Sequence, residues 1–351
     1  MAEYRTTSGD LLIGVLNVGF GDSIVIRFPK AGDAYPVGVV DCCDSKKMKS
    51  FIEDITGGNF AVEFICATHP HADHIRGIDS LLKDTSCSPR EFWDSGFRHN
   101  STTYRRILTT LKDKGIRTIR ASSGMERYIG TVSITVVAPS ISLRNRYATY
   151  GVDMNNASIV LRLEHHERNV LDIRSEEYEG ELGKEMLREA GASVVILAGD
   201  AEFDSWSHIV QEFPKLEKQK GNEPLVSKMV NYLACHTIKV AHHGSMHSSP
   251  LDVYEKMGPK LAVISTKQES SSSAAGTRNL FPHDLCVRAL EECNARILTT
   301  DGSHDTAKTA SGKPGTVVIA VPPGAKPCWT KLGDSASEKA EVQEVMKLEG
   351  F

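Results

Sequence analysis

Apolar residues in this chain fall in short runs, many of them rich in Val and Ile, cut off by Gly, Asp, Asn or Pro. Such runs at 11–18, 23–28, 37–41, 61–67, 132–138, 157–163, 193–198, 237–241, 261–265, 295–299 and 316–321 predict buried strands. Elsewhere apolar positions recur at helical spacing, which predicts helices over 46–55, 76–83, 102–114, 204–212, 251–257 and 283–293. Ser101 and Asp204 are placed to open two of them, because a short side-chain oxygen can accept from the unpaired N–H groups of a first turn. Strands and helices alternate, as an α/β layered fold requires. The stretch 268–277 reads as a loop, and acidic 174–189 as a loop leading into a helix. The chain after Pro327 reads as a polar tail with one amphipathic stretch at 335–348.

With 351 residues, 40% apolar and 25% charged, the chain has material for a substantial core. No basic N-terminal segment precedes a long apolar run, and no stretch approaches the roughly eighteen apolar residues of a membrane span. A soluble cytoplasmic protein without a membrane partner is expected. The eight cysteines include no CxxC pair, so reduced thiols are expected, and adjacent Cys42-Cys43 reads as a strand end. A net charge of −4 argues against indiscriminate polyanion binding, yet ten Lys and Arg lie between Arg98 and Arg146 against Asp113 and Glu126 alone. That surplus of positive charge is either a track for phosphates, with Arg105 and Arg106 as substrate-binding residues, or a solvated face. Tyr104, Tyr128 and Tyr147 are the aromatic rings near most of it.

The densest chemistry is Thr68-His69-Pro70-His71-Ala72-Asp73-His74, directly after a predicted strand. Imidazole suits zinc and similar ions, and a tight loop can divide its ligands between two neighbouring ones. His69 and His71 form one expected pair, Asp73 and His74 the other. Two ions about 3.5–4 Å apart can hold a hydroxide between them and neutralise charge building on an attacked ester or phosphoester. Hydrolysis is therefore the leading expectation.

Other predicted strands also end in ionisable or polar residues, where layered α/β folds collect their chemistry. Asp41 ends GVVD, Asn155-Asn156-Ala157-Ser158 precedes IVLRL, and Gly199-Asp200 follows VVILA. His242-His243-Gly244-Ser245 follows TIKVA, and Asp301-Gly302 follows RILTT. An Asp after a strand also serves as a turn or helix cap, and a His pair divides as readily between core and surface.

The THPHADH run, upstream Asp41, Gly199-Asp200 and a later His after a strand resemble the metallo-β-lactamase superfamily. More narrowly, LNVGFGDSIVIRFP, NNASIVLRL, LAGD, KVAHHGS, FPHD and TTDGS, in that order over 11–321, resemble the soluble domain of ComEC-type DNA-uptake proteins. The phosphorylcholine-esterase branch is a related match. The resemblance implies an αββα sandwich over 1–325, with a basic insert around 98–146 and a tail over 326–351. It implies His69 and His71 on a first ion, Asp73 and His74 on a second, and Asp200 as the bridge. One of His242 and His243 completes the second ion, His243 by preference. Asp41 would brace the His-rich loop from behind, Asp22 would lie at the rim, and Asn155, Asn156 and Ser245 would flank the ligands. Superfamily hydrolases usually supply another His to the first ion where this chain has Asn155-Asn156. Asn is a weak ligand, so that ion is expected to be loosely held.

The expected activity is hydrolysis of phosphodiester bonds with two divalent ions, Zn²⁺ first and Mn²⁺ as the alternative, in its sharper form a nuclease on single-stranded DNA or RNA. Asp73 would orient the nucleophile or shuttle its proton, and a nearby cation or His283 would meet the leaving oxygen. His283 also reads as a helix N-terminal residue without chemistry. The rivals are a small-molecule hydrolase of a phosphocholine-type ester, cyclic nucleotide or lactone, and a non-catalytic metal-stabilised binding module.

Overall fold

A computed structural model describes residues 3–150, 153–172, 193–213, 216–217, 229–267, 281–306, 312–333 and 347–350. Its first half comprises β1 (Glu3–Arg5), β2 (Leu11–Val15), β3 (Ser23–Arg27), β4 (Tyr35–Cys42), α1 (Ser45–Thr56) and β5 (Phe60–Ala67). Then come α2 (Ala72–Ile75), α3 (Ile78–Lys83), β6 (Glu91–Asp94), α4 (Thr102–Asp113) and β7 (Arg117–Arg120). The chain continues through β8 (Glu126–Ile129), β9 (Val132–Ala138), α5 (Ile141–Tyr150), β10 (Val160–His165), β11 (Val194–Leu197) and α6 (Phe203–Glu212). The short pair β12 (Leu216–Glu217) and β13 (Met229–Val230) precedes β14 (Thr237–Lys239), α7 (Leu251–Met257), β15 (Leu261–Ile264), α8 (Asp284–Glu292) and β16 (Arg296–Thr299). The described chain ends with β17 (Gly315–Val321), β18 (Cys328–Gly333) and β19 (Lys347–Gly350).

These strands make a ten-stranded sheet, β1-β19-β18-β17-β2-β3-β4-β5-β6-β7, and a seven-stranded one, β16-β15-β14-β11-β10-β9-β8. Ile13, Ile24, Phe64 and Ile319 of the first pack with Ile134, Leu161, Val195 and Val263 of the second in one buried core. The outer face of the first sheet buries Met48 and Ile52 of α1, Leu81 and Leu82 of α3 and Ile107 and Leu111 of α4. The outer face of the second buries Trp206 of α6, Tyr254 of α7 and Leu290 of α8. Two apolar faces per sheet explain why the strands read as continuous apolar runs rather than alternating ones. The result is the expected αββα sandwich.

The eleven strands and six helices predicted by range are each present within a few residues. Ser101 caps α4, its hydroxyl accepting from Tyr104 N at 3.1 Å. Asp204 does not open α6; it lies inside the first turn, and Asn156 Oδ1 accepts from Ser205 N at 2.9 Å instead. The basic stretch is not an insert, because it forms α4, the edge strand β7, β8, β9 and the start of α5. Nor is 326–351 only a tail, since β18 and β19 pair within the larger sheet. The expectations for 174–189 and 268–277 lie outside the described residues, as does most of 335–348. All eight cysteines are free thiols. Among the described residues no helix is long and apolar enough to cross a membrane.

Candidate metal centre

Parallel β4, β5 and β6 end on one edge of the larger sheet, and the turn before β10 and those after β11 and β14 meet the same edge from the smaller one. Their ends deliver Asp41, the His69–His74 loop, Asp200 and His242-His243. Gly21 and Gly199 permit this convergence. A Cβ on Gly21 (φ +133°) would stand 2.5 Å from Asp73 O, and one on Gly199 (φ +52°) would crowd Ser158 and Thr68. Asp41, His242 and His243 adopt positive φ without being glycine. Such residues each cost on the order of 1–3 kcal/mol and cluster where side chains must be aimed.

Among the described residues three groups have ligand atoms within 4.8 Å of one another: His69-His74-Asp200, Asp73-His74-His243 and Asp22-Asp41-His74. His74 Nε2 lies 3.1 Å from Asp200 Oδ2 and 3.8 Å from Asp73 Oδ2, while His69 Nε2 is 3.7 Å from Asp200 and His243 Nε2 3.5 Å from Asp73. His69 Nε2, His74 Nε2, His243 Nε2 and Asp200 Oδ1 are all buried without a hydrogen-bond partner. Buried polar atoms are rarely left so. Imidazole and carboxylate lone pairs converging in this way fit divalent cations.

The layer behind these atoms fixes their orientation. Thr68 donates from N and Oγ1 to Asp41 at 2.8 and 2.7 Å, and Asp41 Oδ2 is 2.7 Å from His74 Nδ1. His243 Nδ1 donates to Ser265 O at 2.7 Å, which leaves the lone pair on Nε2, facing the cluster. Ser158 Oγ accepts from Asp200 N at 3.0 Å and lies 3.3 Å from His69 Nδ1. Asp22 is buried, not at the rim as expected: Lys239 Nζ donates to it, and it sits 3.8 Å from His74 Nδ1 and 3.9 Å from His243 Nδ1.

Burial lowers the pKa of His74, but Asp200 and Asp41 outweigh it and hold the ring well above its ordinary value. Burial raises the Asp200 carboxyl, yet His74, His69 and His243 leave it well below the usual range. Asp73 is depressed in the same way, burial being outweighed by His243 and His74. His69 moves down through burial and the neighbouring His74, and Asp41 moves up because burial exceeds the pull of His74. Positive charge is therefore favoured where His74 faces Asp200.

The remaining expected residues divide. His71 is half-buried, edge-on to His69 at 4.6 Å, and belongs to none of the three groups. On its other side is His99, at 5.8 Å between ring centres. His242 is also outside the groups; its Nδ1 is 3.0 Å from Glu202 Oε1 and its Nε2 3.9 Å from Asp200 Oδ2. Asn155 donates to Glu202 at 3.1 Å and its buried Oδ1 has no partner, whereas Asn156 is spent on α6. Ser245 closes a turn by accepting from His247 N. His283 caps α8, its Nδ1 accepting from Leu285 N at 3.2 Å, so its side chain has the structural role. Arg105 donates to Asn100 and Arg106 is exposed on the same helix. Tyr104 is no stacking platform, since its ring is buried and its hydroxyl donates to Asp94 at 2.6 Å.

Asp41→Asn is expected to weaken metal affinity about 10–100-fold by freeing the His74 ring. It also removes a carboxylate that raises the His74 pKa. Protons therefore compete less, and the loss of affinity should shrink as the pH falls. Titration with a metal indicator from pH 5 to 8 reads both effects.

With its sandwich and the ligand cluster at one edge, the chain resembles the metallo-β-lactamase superfamily. Among curated proteins it is similar to ComE operon protein 3 of Bacillus subtilis, 22% identical over 242 residues, 68% of this chain and 24% of that protein. The chain thus spans about a quarter of the length of that relative. No family model matches. Of solved structures, Igni18, a metallo hydrolase from the archaeon Ignicoccus hospitalis, covers 88% of this chain and 98% of its own at TM-score 0.42 and 13% identity. A metallo-β-lactamase from Hirschia baltica covers 61% and 85% at TM-score 0.30 and 11% identity. Similarity at that level carries no chemistry from those proteins to this chain.

Proposed function

We propose that this chain is a metal-dependent phosphodiester hydrolase acting on single-stranded DNA or RNA. The observation that carries the reading is the set of buried, partnerless ligand atoms in two overlapping groups that share His74. His69, His71 and Asp200 hold a first divalent ion in this reading, and Asp73, His74, Asp200 and His243 a second, with zinc the first choice. Bound there, the ions supply the positive charge that makes a water a better nucleophile and offsets charge on the attacked phosphate.

The chain's own groups do the rest. Asp73, whose side chain is 28% exposed, is the ligand-set carboxylate that reaches solvent, and it orients the attacking water and relays its proton to solvent. His242, held through Nδ1 by Glu202, turns Nε2 toward the Asp200 side and donates to the leaving oxygen. That role passes to it from His283. The ordered motifs over 11–321, which resemble the soluble domain of DNA-uptake proteins, support a nucleic-acid substrate.

The test is hydrolysis of labelled single-stranded DNA, RNA and bis-p-nitrophenyl phosphate by metal-loaded protein of measured metal content. Cleavage of the oligonucleotides is expected. Cleavage of the small diester alone favours a small-molecule hydrolase, and no cleavage with ions bound sinks the hydrolytic reading.

A further inference from the structure

Register pairs Ala67 with Asp94 and Asp94 with Arg120, so the end of β7 stands two strands from the start of the His-rich loop. At the usual strand spacing that is about 10 Å. Arg144 reaches the same edge from the first turns of α5, after β9, whose Ala138 pairs with Val160 beside the Ser158 turn. Both arginines pass Gly96 (φ +82°), where a Cβ would stand 3.4 Å from Arg120 Cδ and 3.5 Å from Arg144 Nε. Three residues further along this loop is His99, the ring beside His71.

Arg144 is aimed by donation from Nη2 to Ala121 O at 2.6 Å, and its Nε is buried without a partner. Among the described residues no ion pair includes either arginine. Asp94, whose charge reaches Arg144, is engaged by the Tyr104 hydroxyl and by Gly96 N. Burial first, and Arg120 second, lower the Arg144 guanidinium from its ordinary value. Two arginines that pass the same glycine, neither of them in an ion pair among the described residues, are matched to a phosphate, which accepts from both.

We propose that Arg120 and Arg144 form a phosphate subsite on the His71 side of the metal centre, taking the phosphate next to the one attacked. The inference rests on the phosphodiesterase reading for the identity of its anion, and it moves substrate binding away from Arg105 and Arg106.

The probe is a fluorescent, phosphorothioate single strand of about 12 nucleotides, a length within the usual site size, bound to the full chain and followed by anisotropy across salt concentrations. Arg120→Ala and Arg144→Gln should each weaken binding about tenfold or more, the loss of a charged hydrogen bond. Each should also make the slope of log affinity against log salt shallower by about 0.7. Turnover of bis-p-nitrophenyl phosphate, which has a single phosphate, should not change. Arg120→Ala removes an exposed side chain, so it keeps the test intact if Arg144→Gln unfolds. Unchanged affinity and slope in Arg120→Ala, or an equal loss on the small diester, overturn the subsite. Wild-type protein that binds the strand through these arginines but hydrolyses no diester overturns the phosphodiesterase reading and leaves the subsite standing.

Discussion

Asp200→Ala should lower the metal content below one ion per chain and reduce hydrolysis by more than about 100-fold, the upper loss seen for groups that merely support a ligand. Asp200 Oδ2 faces both His74 Nε2, at 3.1 Å, and His69 Nε2, at 3.7 Å. Its removal takes the anion from the point where the two proposed ion positions meet, while His74 keeps Asp41 and Asp22 behind it. Elemental analysis after dialysis reads the metal directly. Retention of two ions with full activity would remove Asp200 from the centre.

Lys239→Met should cost about 3–5 kcal/mol of stability, since it strands the fully buried Asp22 carboxylate without its cation. In a chain of this size that lowers the melting temperature by roughly 4–7 °C. Adding Asp22→Asn should restore much of the stability, because no charge is then left buried alone. Metal affinity should not recover in step, since Asp22 also sits behind His74 and His243. Thermal denaturation with parallel metal titration separates the two. Equal stability of Lys239→Met and wild type would show that the pair contributes nothing net.

Much of the sandwich was legible because a strand buried on both faces, such as Val194–Leu197, can only be apolar. Short β6, β7 and β8 escaped because their charges are satisfied across the fold. Glu91 meets Arg117 at 3.2 Å and Arg127 at 3.3 Å, so polar residues that resemble a loop occupy regular strands. β18 and β19 escaped because pairing, rather than pattern, orders them.

In the candidate site, the spacing of His69, His71, Asp73 and His74 was visible because one tight loop carries all four. Lys239 was written within KVAHHGS, but nothing local ties it to Asp22, 217 residues away. Glu202, Ser158 and Ser265 were equally silent. Each acts through a ring or backbone atom brought near by another strand.

By itself the sequence determined the alternation of elements, the two-faced burial of the strands and the ligand-bearing loop, since these follow from side-chain chemistry and spacing along one segment. Only the tertiary structure decided that His243 joins Asp73 and His74 while His242 turns to Glu202, that His283 caps a helix, and that Asp22 lies buried on Lys239. Neighbouring residues of one chemical type differ only in what the rest of the fold brings against them, and that is set by strand pairing over long separations.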